Sequence, residues 1–227
     1  MTKLRQISRT HDLFLFEDAA QAHGACEFGV PVGSKSDGAA FSFYPGKNLG
    51  AFGDAGAICV NDIEIAKMCR SLRSYGSSEK YKHDVIGVNS RMDPIQAAIL
   101  SLKIGTIWDM NSERRHIANL YSRYITNDVV LKPLVREGAK HVWHLFVIQC
   151  QTRDSLQNYL LEQGIDTLIH YPLPIFDQEA FKNIDTRGLN KHLSRKRCAS
   201  ILSLPIFPHM HQEEALYVID KINKYNA

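Results

Sequence analysis

Apolar residues in the first half of the chain fall into short continuous runs of strand length. The run Leu13–Phe16 ends in Glu17 and Asp18, a pattern typical of a strand that is buried on both faces of a parallel sheet. Two later runs, Ala39–Tyr44 and Ala55–Val60, also have the length and composition of strands. Because ligands of parallel sheets bind beyond the carboxyl ends of the strands, the pattern puts Asp18 where a ligand would lie.

Segments with the apolar periodicity of helices lie before and after these strands in the sequence. Asn61 or Asp62 can cap a helix, and Asp93 with Pro94 has the form of a helix start. The second of these helices has its apolar residues on one face, namely Ile95, Ala98, Ile99 and Leu102. The predicted helices of this half are a fragment at Lys3–Thr10, Ile63–Leu72, the helix that begins at Pro94, and Trp108–Tyr124.

After Asn127 the predicted pattern changes to short strands that alternate with helices. We therefore predict two domains, a partial α/β domain over residues 1–127 and a small α+β domain over residues 128–227. The second domain is predicted to contain strands at 141–150 and 166–172 and helices at 153–163, 192–201 and 213–225, with Gly164 ending the first helix.

Composition excludes several classes of protein. The 227 residues are 44% hydrophobic and 22% charged, and the net charge of +3 is too small and too evenly spread to indicate a nucleic-acid partner. No apolar stretch is long enough for a membrane span, and no signal-peptide pattern opens the chain. The five cysteines are odd in number and lack metal-site spacing, which fits reduced thiols. We expect a cytoplasmic protein without a membrane or nucleic-acid partner.

A glycine-rich bend between two predicted strands contains Lys47. A P-loop would need a glycine at Phe41 and a hydroxyl residue at Asn48, so this bend is not one. The dinucleotide pattern is also absent, because the glycines recur at a constant spacing of three: Gly50, Gly53 and Gly56. Two interpretations stay open, a solvated turn lysine and an amine that forms a Schiff base with a carbonyl cofactor.

Four polar residues, Asp18, Gln21, Ser42 and Lys47, fall at predicted strand ends or loops. Pyridoxal phosphate needs such a set. A carboxylate at Asp18 could keep the pyridine nitrogen protonated. The attraction between these two opposite charges is worth ~4 kcal/mol at an effective dielectric of about 20. Gln21 could reach the phenolic oxygen, and Ser42 the phosphate. Each residue alone also has an ordinary interpretation, as a helix cap, a surface glutamine or a sheet-edge serine.

Five motifs in order resemble the DegT/DnrJ/EryC1/StrS family of pyridoxal phosphate-dependent nucleotide-sugar aminotransferases. They are EDAAQAHGA (17–25), SFYPGKNLGAFGDAGAI (42–58), GVNSRMDPIQAAIL (87–100), IHYPLPI (169–175) and LSLPIFP (202–208). The resemblance implies an aspartate-aminotransferase-like fold of type I. It also implies Lys47 as the Schiff-base lysine, Asp18 on the pyridine nitrogen, Gln21 beside the ring, Ser42 on the phosphate, and Asn89 reaching the cofactor phosphate of a partner subunit.

The bend PGKNLGAFGDAG further resembles family members that act on 3-keto sugars. The resemblance then implies transfer of an amino group, with glutamate as the expected donor, to C3 of a dTDP-linked deoxysugar. The product would serve cell-surface or secreted glycans such as lipopolysaccharide. The enzyme is expected to be a homodimer.

The sequence departs from the family before Leu13. The first strands and helices of the large domain, a phosphate-cradling segment and a ring-stacking aromatic have no counterpart here. We therefore expect the C-terminal part of the large domain followed by the small domain, and weak cofactor binding by this chain alone. The alternative is a non-catalytic truncated remnant or interaction protein that retains the dimer surface.

Overall fold

The computed structural model describes residues 1–226 and contains two compact units. The first unit consists of Met1–Asn111 with Arg136–Val142, and the second of Ser112–Val135 with the chain from Trp143 onward. These units are groups of mutually contacting residues and need not fold separately. The domains predicted at 1–127 and 128–227 therefore stay a prediction.

The first unit contains most of the strands. Its strands are β1 (Phe16–Asp18), β2 (Cys26–Glu27), β3 (Val30–Pro31), β4 (Gly38–Ser42), β5 (Gly56–Val60), β6 (Ser77–Glu79), β7 (Lys82–His83) and β8 (Ala139–Lys140). The strands of the second unit are β9 (Phe146–Gln149) and β10 (Ile201–Leu204). The α-helices are α1 (Thr2–Thr10), α2 (Ile63–Leu72), α3 (Pro94–Lys103), α4 (Ile107–Tyr124), α5 (Arg153–Glu162), α6 (Lys191–Ser200) and α7 (Gln212–Lys224). Short 3₁₀ helices occupy Ile104–Thr106, Ile175–Asp177 and Glu179–Phe181.

The main sheet of the first unit has the strand order β1-β4-β5. β1 and β4 are parallel, with Asp18 opposite Ala40, whereas β5 runs antiparallel to β4, with Gly56 opposite Ser42. β2, β3 and β8 form a second small sheet, and β6 pairs with β7. The predicted parallel sheet is thus present with one reversed strand.

The prediction that Leu13–Phe16 is a strand buried on both faces is wrong. The strand begins only at Phe16, and the side chains of Leu13 and Phe14 are each 59% exposed. The physical reason is that Leu13 and Phe14 precede the strand and are therefore not held in the sheet, and β1 itself is an edge strand that within residues 1–226 pairs with β4 alone. Continuous apolar runs therefore identified a strand here but not its burial.

Helix predictions in the first unit agree closely with the structure. The Asp62 carboxylate accepts hydrogen bonds from the backbone N–H groups of Glu64 (2.7 Å) and Ile65 (3.2 Å), which caps α2. Asp93 stands at the N-cap of α3 but makes no side-chain cap bond. The predicted apolar face of α3 is largely uncovered, since Ile95 is 67% and Leu102 is 80% exposed.

The longest α-helix described is α4, with 18 residues. It begins at Ile107, one residue before the predicted start, and ends at Tyr124 as predicted. Its sequence includes five charged side chains, Asp109, Glu113, Arg114, Arg115 and Arg123. Among residues 1–226, no helix has both the length and the apolar character that a membrane crossing requires.

The second unit packs around an antiparallel pair formed by β9 and β10. The predicted strand at 141–150 is confined to β9, and the predicted helix at 192–201 ends at Ser200 because β10 begins there. The strand predicted at 166–172 is wrong, since only Leu168 pairs, in one bridge with Ser203. The largest fully buried core side chains are Tyr121, Phe146, Ile117, Ile125, Ile148, Leu156, Leu160, Leu202 and Ile222.

Adjacent leucines in α5 give a direct test of this core. Leu160 is fully buried, whereas Leu161 is 59% exposed. Leu160→Ala should lower the free energy of unfolding by about 2–5 kcal/mol, because it removes buried methyl groups and leaves a cavity. Leu161→Ala, the control, should change it by about 0.5 kcal/mol or less. Urea denaturation measures both, and equal losses would contradict the packing described.

Candidate active site

Asp18 and Ser42 project from the same face of the main sheet. Side chains alternate between the faces along a strand, and paired residues of neighbouring strands lie on one face. Asp18 is paired with Ala40, and Ser42 stands two residues beyond Ala40 in β4. Both side chains also lie at the carboxyl ends of their strands. The sheet therefore brings a carboxylate and a hydroxyl to one edge and one face.

The Asp18 and Ser42 side chains already contact nearby backbone. Asp18 Oδ1 accepts a hydrogen bond from the Ala20 N–H (3.0 Å), and Ser42 Oγ accepts one from the Tyr44 N–H (3.3 Å). Asp18 is exposed and Ser42 is half-buried. Both groups keep further acceptor capacity, and the Ser42 hydroxyl can also donate.

Lys47 lies in a tight bend that begins directly after β4. The Lys47 N–H donates to the Tyr44 carbonyl (2.9 Å), and the Ala51 N–H donates back to the Phe43 carbonyl (2.8 Å). Gly50 is required, because a Cβ there would lie 2.3 Å from the Pro45 carbonyl oxygen. The bend is thus closed upon itself, and it holds Lys47 half-buried, five residues beyond Ser42.

Helix α3 supports the bend after Lys47, at Gly50 and Phe52. Lys103 Nζ donates to the Gly50 carbonyl (2.5 Å), and Gln96 Oε1 accepts from the Phe52 N–H (2.8 Å). Each contact satisfies a backbone group of the loop with a side chain of a regular helix. The loop is therefore tied to a rigid element at two places.

Two buried side-chain amides support the bend at Asn48, the residue after Lys47. Asn48 Nδ2 donates to Asn111 Oδ1 (2.7 Å) and to the Val142 carbonyl (2.8 Å). Asn111 Nδ2 in turn donates to the His23 carbonyl (2.8 Å). Asn48 is 1% and Asn111 is 0% exposed. These bonds connect the residue after Lys47, helix α4 and the segment after Asp18.

The His23 side chain is buried on the opposite face of the sheet. Its ring lies between Phe41 and Phe43, with ring-centroid distances of 5.6 and 5.7 Å, and neither ring nitrogen makes a hydrogen bond of good geometry. Burial lowers the pKa of His23 below 6.5, the backbone of Ser42 offsets part of this effect, and the positive charge of Lys47 adds to it. His23 is therefore a neutral imidazole at pH 7.

Gln21 and Asn89 lie outside this arrangement of strand ends. Gln21 is exposed in successive turns after β1. Asn89 is exposed and pairs with Ser74 in a single antiparallel bridge, and its Oδ1 accepts from Arg91 Nε (3.2 Å). A cavity of about 750 Å³ over the main sheet is lined by Asn89 together with Ala40, Ile58, Arg70, Arg73 and Arg91. Within residues 1–226, no hydrogen bond joins Asn89 to Asp18, Gln21, Ser42 or Lys47.

The chain belongs to the DegT/DnrJ/EryC1/StrS aminotransferase family, whose model matches residues 1–223. Among its curated relatives is the dTDP-3-amino-3,6-dideoxy-alpha-D-galactopyranose transaminase of Aneurinibacillus thermoaerophilus. That protein is 46% identical over 99% of this chain and 61% of its own length. The chain thus spans about three fifths of the curated relatives that it matches. The family resemblance found in the motifs is confirmed.

Solved structures agree with the expected fold. DesV of S. venezuelae superimposes with a TM-score of 0.94 at 40% identity, covering 99% of this chain and 61% of DesV. NtdA from Bacillus subtilis, solved with the bound cofactor PMP, gives a TM-score of 0.85 at 29% identity, covering 97% of this chain and 52% of NtdA. The predicted fold of type I is confirmed, and this family of aminotransferases depends on pyridoxal phosphate.

Sequence reasoning proposed Asp18, Ser42 and Lys47, which stay predictions, and it did not consider His23 or the pair Asn48 and Asn111. The two asparagines are 63 residues apart, so no local spacing connects them. The signal that existed was an asparagine in the first two turns of α4, on the side of the helix that is buried. A buried amide needs hydrogen-bond partners, and this need points to a contact beyond the helix.

The buried imidazole predicts a pH dependence of stability. His23 resists protonation in the folded state but takes up a proton near pH 6.5 when unfolded, so the free energy of unfolding should fall as the pH drops below about 6.5. His141 also has a pKa lowered by burial and contributes to the same slope. His23→Phe, which keeps an aromatic ring between Phe41 and Phe43, should reduce the slope.

Urea unfolding at several pH values from about 7 to about 5 measures this slope. His192→Gln, which changes an exposed histidine, is the control and should keep the parent's slope. A slope in His23→Phe equal to that of the parent would contradict a neutral, buried His23.

Proposed function

We propose that this chain carries the lysine and the ring-nitrogen carboxylate of a pyridoxal phosphate-dependent sugar aminotransferase. The observation that carries this proposal is the common face of Asp18 and Ser42, with the Lys47 bend starting directly after the strand of Ser42. The donor set fits the cofactor: a carboxylate for a protonated ring nitrogen, a hydroxyl for a phosphate and an amine for an aldehyde. Membership in an aminotransferase family supports the same conclusion.

Asp18, Gln21 and Ser42 would each contact a different part of the cofactor. Asp18 holds a proton on the pyridine nitrogen, so that the ring, when bound, can act as the electron sink for amino transfer. Gln21, exposed in the turn after Asp18, contacts the phenolic oxygen. The Ser42 hydroxyl would donate a hydrogen bond to the phosphate.

Lys47 would hold the cofactor covalently through Nζ, and its amine, when free, would accept and return a proton. The closed bend fixes the backbone of Lys47 and leaves its side chain free to change conformation. A fixed backbone with a mobile amine suits a residue that would first hold the cofactor and then transfer a proton.

The proposed substrate is a keto sugar linked to a nucleotide, with C3 as the reacting carbon, glutamate as the donor and glycan synthesis as the destination. The curated relative from A. thermoaerophilus supports the C3 position, because its name specifies a dTDP-3-amino sugar. A second relative, from Streptomyces venezuelae, is named a dTDP-3-amino-3,4,6-trideoxy-alpha-D-glucose transaminase and is 40% identical.

The proposed assembly is a homodimer in which Asn89 reaches the cofactor phosphate of the second copy. Asn89 is exposed, and Arg91 occupies its Oδ1, so its amide N–H groups remain for an outside acceptor. Arg70, Arg73 and Arg91 line the same cavity, and within residues 1–226 none of them forms an ion pair with a carboxylate. Their positive charge favours an anion.

The proposed location is the cytoplasm. All five cysteines are free in the structure. Free thiols persist in reducing compartments and are oxidised in secreted proteins. This property fits the cytoplasmic location.

Cofactor attachment tests the proposal. With pyridoxal phosphate added, the protein should absorb visible light, and borohydride should fix the cofactor on Lys47, since this lysine alone lies in the bend beyond Ser42 and Asp18. Peptide mapping identifies the modified lysine. Lys47→Ala should abolish this specific modification, whereas Lys196→Ala, which changes an exposed lysine, should retain it.

Labelling spread over many surface lysines and unchanged by Lys47→Ala would contradict the proposal. Activity is tested in the same samples, by conversion of glutamate to 2-oxoglutarate and amination of a 3-keto dTDP-sugar. Both should depend on Lys47 and Asp18. Specific modification of Lys47 without amino transfer would support cofactor binding and count against catalysis by this chain.

Self-association is expected through the uncovered face of α3. Light scattering should give a mass about twice 25.7 kDa, and Leu102→Glu should weaken association by about tenfold or more, because it places a charge on an apolar contact. Ser101→Glu, at an exposed polar position of the same helix, is the control. A strictly monomeric protein at high concentration would count against the homodimer.

A further inference from the structure

One buried side chain, that of Asn111, contacts both segments that carry the candidate site residues. Its Oδ1 accepts from Asn48, the residue after Lys47, and its Nδ2 donates to the carbonyl of His23, two residues after Gln21. The two ends of one amide group are therefore used for two different segments. Only this orientation of the amide satisfies both partners, because a carbonyl oxygen cannot donate to the His23 carbonyl.

The approach of the His23 segment to α4 depends on Gly24. A Cβ at Gly24 would lie 2.9 Å from Asn111 Nδ2 and 3.4 Å from the Trp108 ring, and Gly24 has φ = +79°. Both the space and the backbone conformation exclude an ordinary side chain. This glycine is a second, independent observation that the segment is fitted closely to the Asn111 amide.

The Asn111 contacts lie in an environment without competing water. Asn111 is fully buried, and Asn48 is 1% exposed. A buried amide that loses its partner leaves an unsatisfied polar group, so these hydrogen bonds hold their geometry more strictly than surface bonds do. Asn48 is held a second time by the Val142 carbonyl at 2.8 Å.

We propose that Asn111 is a positioning residue, which sets the place of Lys47 relative to the Asp18 segment by bonding to Asn48 and to the His23 carbonyl. This inference rests on the proposed function for its chemical meaning, since it assigns Lys47 and Asp18 to one cofactor. Asn111 itself touches neither of these side chains in the hydrogen bonds described. It acts by fixing the backbone on which each of them stands.

Hydrogen exchange measured by mass spectrometry tests the coupling without any cofactor. In Asn111→Ala, peptides that contain Lys47–Ala51 and Gln21–Ala25 should exchange about tenfold faster, because each segment loses a buried hydrogen bond. Asn119→Ala is the matched control, since Asn119 is an exposed asparagine of the same helix. It should leave both peptides unchanged.

A second variant separates the two bonds and guards against poor folding of the first. Asn111→Asp keeps an acceptor for Asn48 but, when ionised, places an oxygen against the His23 carbonyl. Exchange should then rise in the Gln21–Ala25 peptide and stay near the parent's value in the Lys47–Ala51 peptide. Exchange equal to the control in both peptides, for both variants, would overturn the proposal.

Cofactor labelling distinguishes a positioning role from a merely structural one. Well below its melting temperature, Asn111→Ala should lose at least about tenfold in the rate at which pyridoxal phosphate and borohydride modify Lys47, relative to Asn119→Ala. Faster exchange with an unchanged rate at Lys47 would overturn the positioning role. If the parent is not modified at Lys47 at all, the proposed function fails, whereas the exchange experiment still decides whether Asn111 couples the two segments.

Discussion

The parallel pairing of β1 with β4 is the constraint on which the candidate site depends. It sets Asp18 opposite Ala40, and the alternation of β4 then puts Ser42 on the same face as Asp18. A slip of one residue would turn Asp18 to the face that holds His23. The register is supported at Gly38, where a Cβ would lie 2.6 Å from the Phe16 ring. Close packing at the start of the strands thus determines the chemistry at their ends.

The Lys47 bend depends on this sheet but is held by helices. Helix α3 contacts Gly50 and Phe52 through Lys103 and Gln96, and helix α4 contacts Asn48 through Asn111. A loop that carries a reactive amine needs such support, since an error of about 1 Å in a reacting group costs much of its effect. In the proposed role of Lys47, a fixed loop backbone with a flexible side chain would suit an amine that binds and later releases a cofactor.

Local patterns predicted the helices well, because apolar periodicity and caps such as Asp62 are short-range properties. They indicated strands near Phe16, Ser42 and Val60 but gave neither the limits nor the burial of the first strand, since both depend on which neighbours a strand has. The strand expected at 166–172 reduced to one bridge at Leu168 for the same reason. Asp18, Ser42 and Lys47 could be proposed from the sequence because each lies at the end of a predicted strand or in the bend that follows one. The Asn48–Asn111 contact could not, because it joins distant parts of the chain.

We propose that Asp18 and Lys47 act on one cofactor from the same edge of the sheet. A crystal structure of the protein after treatment with pyridoxal phosphate and borohydride tests it most directly. We expect continuous density from Lys47 Nζ to the cofactor, with the pyridine nitrogen about 2.7–3.2 Å from a carboxylate oxygen of Asp18. A cofactor attached to Lys47 with its ring nitrogen directed away from Asp18, or attached to another lysine, would contradict it.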